Sequence, residues 1–287
     1  MTKGAVTISI DLELAWGNWD DITGDQIKLV ERHERSIVAR LVEIFERHEM
    51  PVTWAIVAAL LDRASAAGRP GGEEIWYAPD VIEMITSARV SHDIGSHGGR
   101  HIYLDAVSDA QAEDDLAFAS SMHRANGLGF TSFVFPRNKL GKKAILERHG
   151  IKVFRGEDRA WHQRVRSKQA QAGRIANLVD KMLPISPEGV APQREGAMVN
   201  LPGSMLFMSK NGLRKFAAPG VTASKLNKGL DAAMRDGAVF HLWFHPSNFY
   251  HDAESQFDLF ENFVQSVRGL SDKGLIDMKP MASFAAN

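Results

Sequence analysis

Residues 5–16 read AVTISIDLELAW, an apolar run that stops at two carboxylates, Asp11 and Glu13. The run has the length of a buried strand, and in a strand residues two apart project to the same face, so both carboxylates point one way. Downstream, Ile37, Leu41, Ile44 and Phe45 fall at helical spacing and give a helix with one apolar face. The first structural unit is therefore a strand followed by a helix.

That unit recurs. VTWAIV (Val52 to Val57) predicts a second strand, Pro79 to Thr86 an apolar helix, and HDIGSH (His92 to His97) a third strand. A helix should follow, capped by Ser108 with Gln111 three residues on. SFVFP (Ser132 to Pro136), a short helix ending near Gly150, and KVFRG (Lys152 to Gly156) continue the alternation. It weakens after Trp161: residues 163–200 mix basic residues, a short helical stretch near Ile175 to Met182 and Pro-rich irregular chain, and read as an insertion, a lid on the substrate side. The rhythm resumes with a helix over Lys225 to Arg235, the strand VFHLWFHP (Val239 to Pro246), a helix with Phe257, Phe260, Val264 and Val267 on one face, and a last strand near Ile276 to Met278.

Repeated strand-helix units specify an α/β fold with a parallel sheet under covering helices, and about seven strands favour a closed or nearly closed barrel over an open sheet. No internal repeat and no second domain is visible, so residues 1–287 are read as a single catalytic domain carrying the insertion at 163–200.

The composition narrows the function classes. Hydrophobic residues make up 44% and charged residues 24%, and the formal net charge of -1 supplies no global field for nucleic acid or an anionic membrane. No run approaches a membrane span, and the first residues lack the pattern of a signal peptide, so the expected location is cytoplasmic. With no cysteine, a disulfide, a thiolate nucleophile or a Cys-held zinc is excluded, and any metal must be bound by histidine and carboxylate.

In a parallel β/α fold the active site lies at the carboxyl ends of the strands. Four strands end in polar residues: the first in Asp11 and Glu13, the third in SHGGRH with His97 and His101, the fourth in FPRN with Arg137 and Asn138, and a late strand in WFHPSNF with His245. Two imidazoles and one carboxylate form a facial set for a divalent cation with positions left open. Such an ion lowers the pKa of bound water from near 16 to about 7. A second carboxylate nearby can take the water's proton, another histidine can protonate a departing amine, and Arg137 can hold the base carboxylate through a bidentate contact.

Each piece also has a plain structural reading. An H-x3-H pair is weak by itself in a chain with 11 histidines. His33, His48, His123 and His149 stand beside charged residues and read as surface; His92, His241 and His251 read as structural first, with support of the site residues from behind as the alternative; Trp243 and Phe244 read as core. The carboxylate pair is the hardest to explain structurally, because burying it without partners is costly.

Taken in order, SIDLELAWG, SHGGRH, FVFPRN and WFHP resemble the motifs of the polysaccharide deacetylase, or NodB-homology, family over about Ala5 to Phe249. The resemblance implies the family's distorted (β/α) barrel of about seven parallel strands. It implies Asp11 as catalytic base, Glu13, His97 and His101 as metal ligands, His245 as general acid and Arg137 as the residue that orients the base. It also implies one divalent ion, zinc first, with cobalt, nickel or manganese as alternatives. The family's adjacent aspartates are replaced here by Asp-Leu-Glu, which leaves the roles of Asp11 and Glu13 open to exchange. Glu157, Asp158 and Trp161 are the candidates for a fourth motif, and Arg155 is a candidate for the substrate side of the pocket.

The expected activity is removal of an N-acyl group, acetyl first, from a sugar-containing substrate such as a surface-polysaccharide precursor. The rivals are a C–N hydrolase of a small non-sugar amide and a barrel that binds carbohydrate without turning it over; an O-acyl ester is also open to attack. The basic residues Arg164, Arg166, Lys168 and Arg174 fit either a phosphate or a solvated helix face. The sequence does not address oligomeric state.

Overall fold

A computed structural model describes residues 3–158, 187–212 and 219–285. Trp161, the helix expected near Ile175 to Met182, the four basic residues from Arg164 to Arg174, and residues 163–186 of the proposed insertion lie outside this set.

The described elements, in chain order, are β1 (Gly4–Leu12), α1 (Gly24–Arg47), β2 (Thr53–Ile56), α2 (Arg63–Ala66), α3 (Pro79–Thr86), β3 (Asp93–Ser96), α4 (Asp109–Ala125), β4 (Ser132–Val134), α5 (Lys143–Arg148) and β5 (Val153–Arg155). They continue with β6 (Gln193–Glu195), β7 (Met198–Asn200), β8 (Met205–Leu206), α6 (Pro219–Asp236), β9 (Val239–Phe244), α7 (Ala253–Asp272) and β10 (Ile276–Met278). All strands of the series β5-β4-β3-β2-β1-β9 pair in parallel with their neighbours.

The wall closes through residues 198–207. β7 pairs in parallel with β5, and the Leu201 amide then donates to the Phe154 carbonyl at 2.9 Å. The same run crosses to β9, where β8 pairs in parallel and the amides of Ser204 and Phe207 donate to the carbonyls of His241 and Trp243 at 2.8 and 2.9 Å. Counting that run as one stave beside β1–β5 and β9 gives about seven parallel staves, the number expected of a distorted (β/α) barrel. The last residues of the segment read as an insertion, 198–200, are thus part of the wall. β6 pairs antiparallel with β7, and β10 lies against the first residues of β1.

The two faces of β1 separate by period 2. Val6, Ile8, Ile10 and Leu12 pack outward with Ile37, Leu41 and Phe45 of α1 and Phe260 and Val264 of α7. Ala5 packs with Ala55, Val134, Val153, Val199, Val239 and Met281, one from nearly every stave, so the odd-numbered face looks into the barrel. Below, the chain end caps the barrel: the Met281 amide donates to Thr53 Oγ1 at 2.7 Å and that of Ala282 to Asp93 Oδ2 at 3.1 Å.

The helix starts follow capping chemistry. α4 begins with the expected reciprocal pair, the Gln111 amide donating to Ser108 Oγ and the Ser108 amide to Gln111 Oε1. α1 has the same device in Thr23 and Gln26.

His123, read as surface, is fully buried at the end of α4. Its Nδ1 donates to the Gly129 carbonyl at 2.5 Å and its ring stands edge-on to Phe130, while Nε2 has no partner. Burial lowers its pKa to about 4, from 6.5. The unfolded chain therefore takes up a proton near pH 6.5 that the folded chain refuses until about pH 4, so stability falls as the pH drops through that window. Denaturant titrations from pH 7 to 4 should show wild type losing about 3 kcal/mol more than His123→Leu, and equal losses in the two proteins would contradict the burial argument.

Candidate active site

The odd face of β1 turns polar toward its carboxyl end, from Ala5 through Thr7 and Ser9 to Asp11, all buried. Glu13 continues the series just past the strand, where Leu14 in a left-handed conformation (φ 44°) turns the chain into a 3-10 segment. The expected shared face of Asp11 and Glu13 is present, and it is the barrel interior.

His97 follows β3, and its ring Nδ1 donates to the Val134 carbonyl at 2.9 Å, which leaves the Nε2 lone pair facing Glu13 Oε2 at 3.3 Å. A carbonyl partner of this kind fixes tautomer and ring orientation in histidine ligands. The two glycines of SHGGRH let the loop turn on Asp115 of α4. The amides of Gly99 and Arg100 donate to its carboxylate at 2.7 and 2.8 Å, and a Cβ on Gly99 would stand 2.5 Å from the Asp115 carbonyl oxygen. The turn delivers His101, itself left-handed at φ 58°, with Nε2 at 3.0 Å from the same Glu13 Oε2. Non-glycine residues adopt this backbone region rarely, and here hydrogen bonds on both sides impose it; Trp19 Nε1 donates to the His101 carbonyl at 3.1 Å.

Glu13, His97 and His101 offer three ligand atoms within 4.8 Å of one another. Neither His97 Nε2 nor either ring nitrogen of His101 has a hydrogen-bond partner, although both rings are about 1% exposed. Buried polar atoms left unspent and aimed at one carboxylate oxygen are what a divalent cation would satisfy, and the mixed nitrogen and oxygen set suits zinc and its neighbours. The residues fit a metal.

Asp11 lies beside this set and is held by an arginine, but not by Arg137. The guanidinium of Arg155, on the inward face of β5, donates from Nη1 to Asp11 Oδ1 and from Nη2 to Oδ2, both at 2.7 Å, and to Asn138 Oδ1 at 2.9 Å. It lies 4.2 Å from the Trp243 ring centre. Burial alone would raise the Asp11 pKa; Arg155, with His97 and His245, outweighs it and holds the carboxyl below its usual range. Arg137 sits past the end of β4 in a left-handed turn (φ 55°), which carries its side chain away from Asp11 to the Gly17 carbonyl at 3.1 Å. Arg155, and not Arg137, is thus the arginine that makes the expected bidentate contact with Asp11.

Arg155 is itself fixed from behind. Its Nη1 donates to Ser9 Oγ at 3.1 Å, so the Ser9 hydroxyl proton goes to His241 Nε2 at 2.8 Å, and His241 Nδ1–H goes to the Pro202 carbonyl at 3.1 Å. This order requires a neutral imidazole, and burial together with Arg155 lowers the His241 pKa to about 3. Trp243, two residues on, donates from Nε1 to Asp158 Oδ1 at 2.9 Å, and burial raises Asp158 to about 6.

His245 ends β9 on the same inward face, with Nε2 at 3.5 Å from Asp11 Oδ2 and 3.6 Å from Glu13 Oε1. Asp11, Glu13, Arg137, Asn138, Trp243 and His245 line a cleft of about 320 Å³. All six residues expected at the site thus gather at one end of the barrel. Ser9 and Asp115 were missed as its supports, Arg155 was read on the substrate side of the pocket, and His241 takes the supporting place that was its alternative reading. A charged residue two positions after Val153 in a short buried strand was the available signal, because such an arginine requires an anion across the barrel.

Residues 16–154 match the family described as polysaccharide deacetylase. Among solved structures, a candidate polysaccharide deacetylase from Mycobacterium smegmatis superposes with a TM-score of 0.67 at 16% identity, covering 99% of this chain and 89% of that one. The Puue allantoinase follows at 0.64 and 13%, covering 97% and 88%, and a candidate polysaccharide deacetylase from Pseudomonas aeruginosa PAO1 at 0.64 and 14%, covering 97% and 89%. At these identities the superpositions speak for the fold. No curated protein matches the chain. In its barrel, its ordered motifs and residues 16–154, the chain is similar to the polysaccharide deacetylase family.

Proposed function

We propose that the protein is a metal-dependent hydrolase that removes an N-acyl group, acetyl first, from a sugar-containing substrate. The observation that carries this reading is the convergence of Glu13, His97 and His101, with unspent ring nitrogens, beside a separate carboxylate and a separate histidine at one cleft. Glu13, His97 and His101 would hold one divalent ion, zinc by donor chemistry. Such an ion supplies Lewis acidity, polarising an acyl carbonyl and easing loss of a proton from water. Asp11, oriented by Arg155, accepts the proton of the attacking water. His245, whose Nε2 stands 3.5 Å from Asp11 Oδ2, gives a proton to the leaving nitrogen as the C–N bond breaks, so an amide and water yield a carboxylic acid and an amine. The bidentate hold of Arg155 favours Asp11 as base and leaves Glu13, which faces both imidazoles, as ligand.

The sugar is the family's substrate class, and the site chemistry would serve a small non-sugar amide equally. No helix among the described residues is long and apolar enough to cross a membrane. The test is elemental analysis of purified protein together with acetate release from acetamido sugars and from small non-sugar amides, before and after chelation. About one divalent ion per chain, and sugar-dependent release that chelation abolishes and added metal restores, is expected. Turnover that survives complete metal removal would overturn the metal-dependent reading, and turnover confined to non-sugar amides would overturn the substrate class.

A further inference from the structure

The FPRN motif brings Arg137 to the lining of the catalytic cleft, and nothing in the chemistry above employs it. Its backbone is held in the left-handed region at φ 55° and ψ 20°, and that of Asn138 beside it at φ 52°. Two consecutive non-glycine residues in that region are costly, and such strain concentrates where a side chain has to be aimed. For Asn138 the turn has a use within the fold, because its Oδ1 accepts the Arg155 guanidinium at 2.9 Å.

Arg137 gains little from the fold in exchange. Its Nη2 donates to the Gly17 carbonyl at 3.1 Å, its guanidinium stands 5.9 Å from the Tyr103 ring centre, and the exposed Asp20 and Asp21 carboxylates lie 3.9 Å from the same nitrogen. Among the described residues no carboxylate makes a bidentate contact with it, and the side chain stays 44% exposed, open to a ligand. The charges of the cleft set it apart further. Asp11 is matched by Arg155, and Glu13 is assigned to the metal set. Among the described residues, Arg137 is then the cation of the lining that has no counter-charge inside the cleft. Asp20 and Asp21 lie outside the lining and oppose its field at a distance, so an anion gains only by touching the guanidinium. Exposed ion pairs are worth little, and a charge-assisted contact of the planar fork to a carboxylate or phosphate is worth more.

We propose that Arg137 is a specificity-determining residue that recognises an anionic oxygen, of a carboxylate or a phosphate, carried by the substrate close to the scissile amide. The proposal rests on the acyl-hydrolase reading of the cleft. At about 320 Å³ the cleft is at the small end of ligand pockets, so the anion and the amide belong to one small molecule.

The experiment measures acetate release from substrates that share the acetamido group: N-acetylglucosamine, its C6 carboxylate, its 6-phosphate and its 1-phosphate. Wild type is compared with Arg137→Gln and Arg137→Lys, with thermal unfolding as the check that each is folded. Wild type is expected to prefer at least one anionic substrate over the neutral sugar in kcat/KM. Arg137→Gln is expected to lower that preference about tenfold or more, chiefly through KM, the size of a lost charge-assisted hydrogen bond. Arg137→Lys separates the two sources of the anion: a phosphate keeps most of its preference against a point charge, whereas a carboxylate held by the fork loses it. No anionic preference in wild type, or a preference that Arg137→Gln leaves unchanged, would overturn the proposal. If wild type releases no acetate from any substrate, the hydrolase reading fails separately, and calorimetric titration with the same compounds decides the role of Arg137. Anion binding weakened about tenfold by Arg137→Gln supports it; equal binding, or none to wild type, overturns it.

Discussion

Replacing His101 or His97 by alanine is expected to abolish acyl release and to reduce divalent-metal affinity by more than about 100-fold, because even outer partners of metal ligands are worth about 10–100-fold. The direction follows from geometry. Glu13 Oε2 stands 3.0 Å from His101 Nε2 and 3.3 Å from His97 Nε2, so removing either ring leaves two donors where three converged. The backbone should survive, since the loop is held by the Gly99 and Arg100 amides on Asp115 and not by the rings. Elemental content, titration of the apoprotein with zinc, and circular dichroism separate the outcomes. A folded His101→Ala protein that still binds one zinc at wild-type affinity would remove this histidine from the metal set. His97 should be the more disruptive of the two in stability, because its ring also donates to the Val134 carbonyl of the neighbouring stave.

Arg155→Met should produce the largest loss of stability among substitutions at the site, about 3–5 kcal/mol at neutral pH, because it leaves the buried Asp11 carboxylate without its counter-charge. The pair is closed to solvent, with side-chain exposures of 0% for Arg155 and 3% for Asp11, so water cannot screen the loss. The variant also releases Ser9, Asn138 and the face of Trp243. Arg155→Lys should recover little, since one ammonium cannot reproduce the paired contacts at 2.7 Å. Arg137→Ala provides the contrast. That side chain is 44% exposed, donates to the Gly17 carbonyl and stands 3.9 Å from the exposed carboxylates of Asp20 and Asp21, and its loss should move stability by no more than about 0.5 kcal/mol. Denaturant unfolding of the three variants decides between the two arginines; comparable losses at both positions would return Arg137 to the base-orienting role.

The contrast between the arginines shows where the sequence was readable. Arg137 stands in FPRN, at a strand end, where a polar residue draws attention, whereas Arg155 stands inside KVFRG, two residues after Val153. Period 2 sends Arg155 into the barrel, but only the closure of the wall places β5 opposite β1 so that this arginine meets Asp11. The same closure escaped the sequence because its stave, residues 198–207, is a short irregular run that pairs first with β5 and then with β9. No hydrophobic period marks a strand that changes partner after three residues. His123 was likewise beyond reach, since a histidine in a helix carries no sign of whether its ring lies in water or among aromatic rings.

The sequence by itself determined the strand-helix order, the capping of α4, the shared face of Asp11 and Glu13, and the set Glu13, His97, His101 and His245 at strand ends. These depend on local periodicity and on the rule that parallel strands carry chemistry at their carboxyl ends. Only the tertiary structure decided which arginine neutralises Asp11 and how Ser9 and His241 hold that arginine. Those depend on which staves become neighbours across the barrel, and charge pairing over more than a hundred residues of intervening chain is set by closure of the wall, which no local pattern encodes.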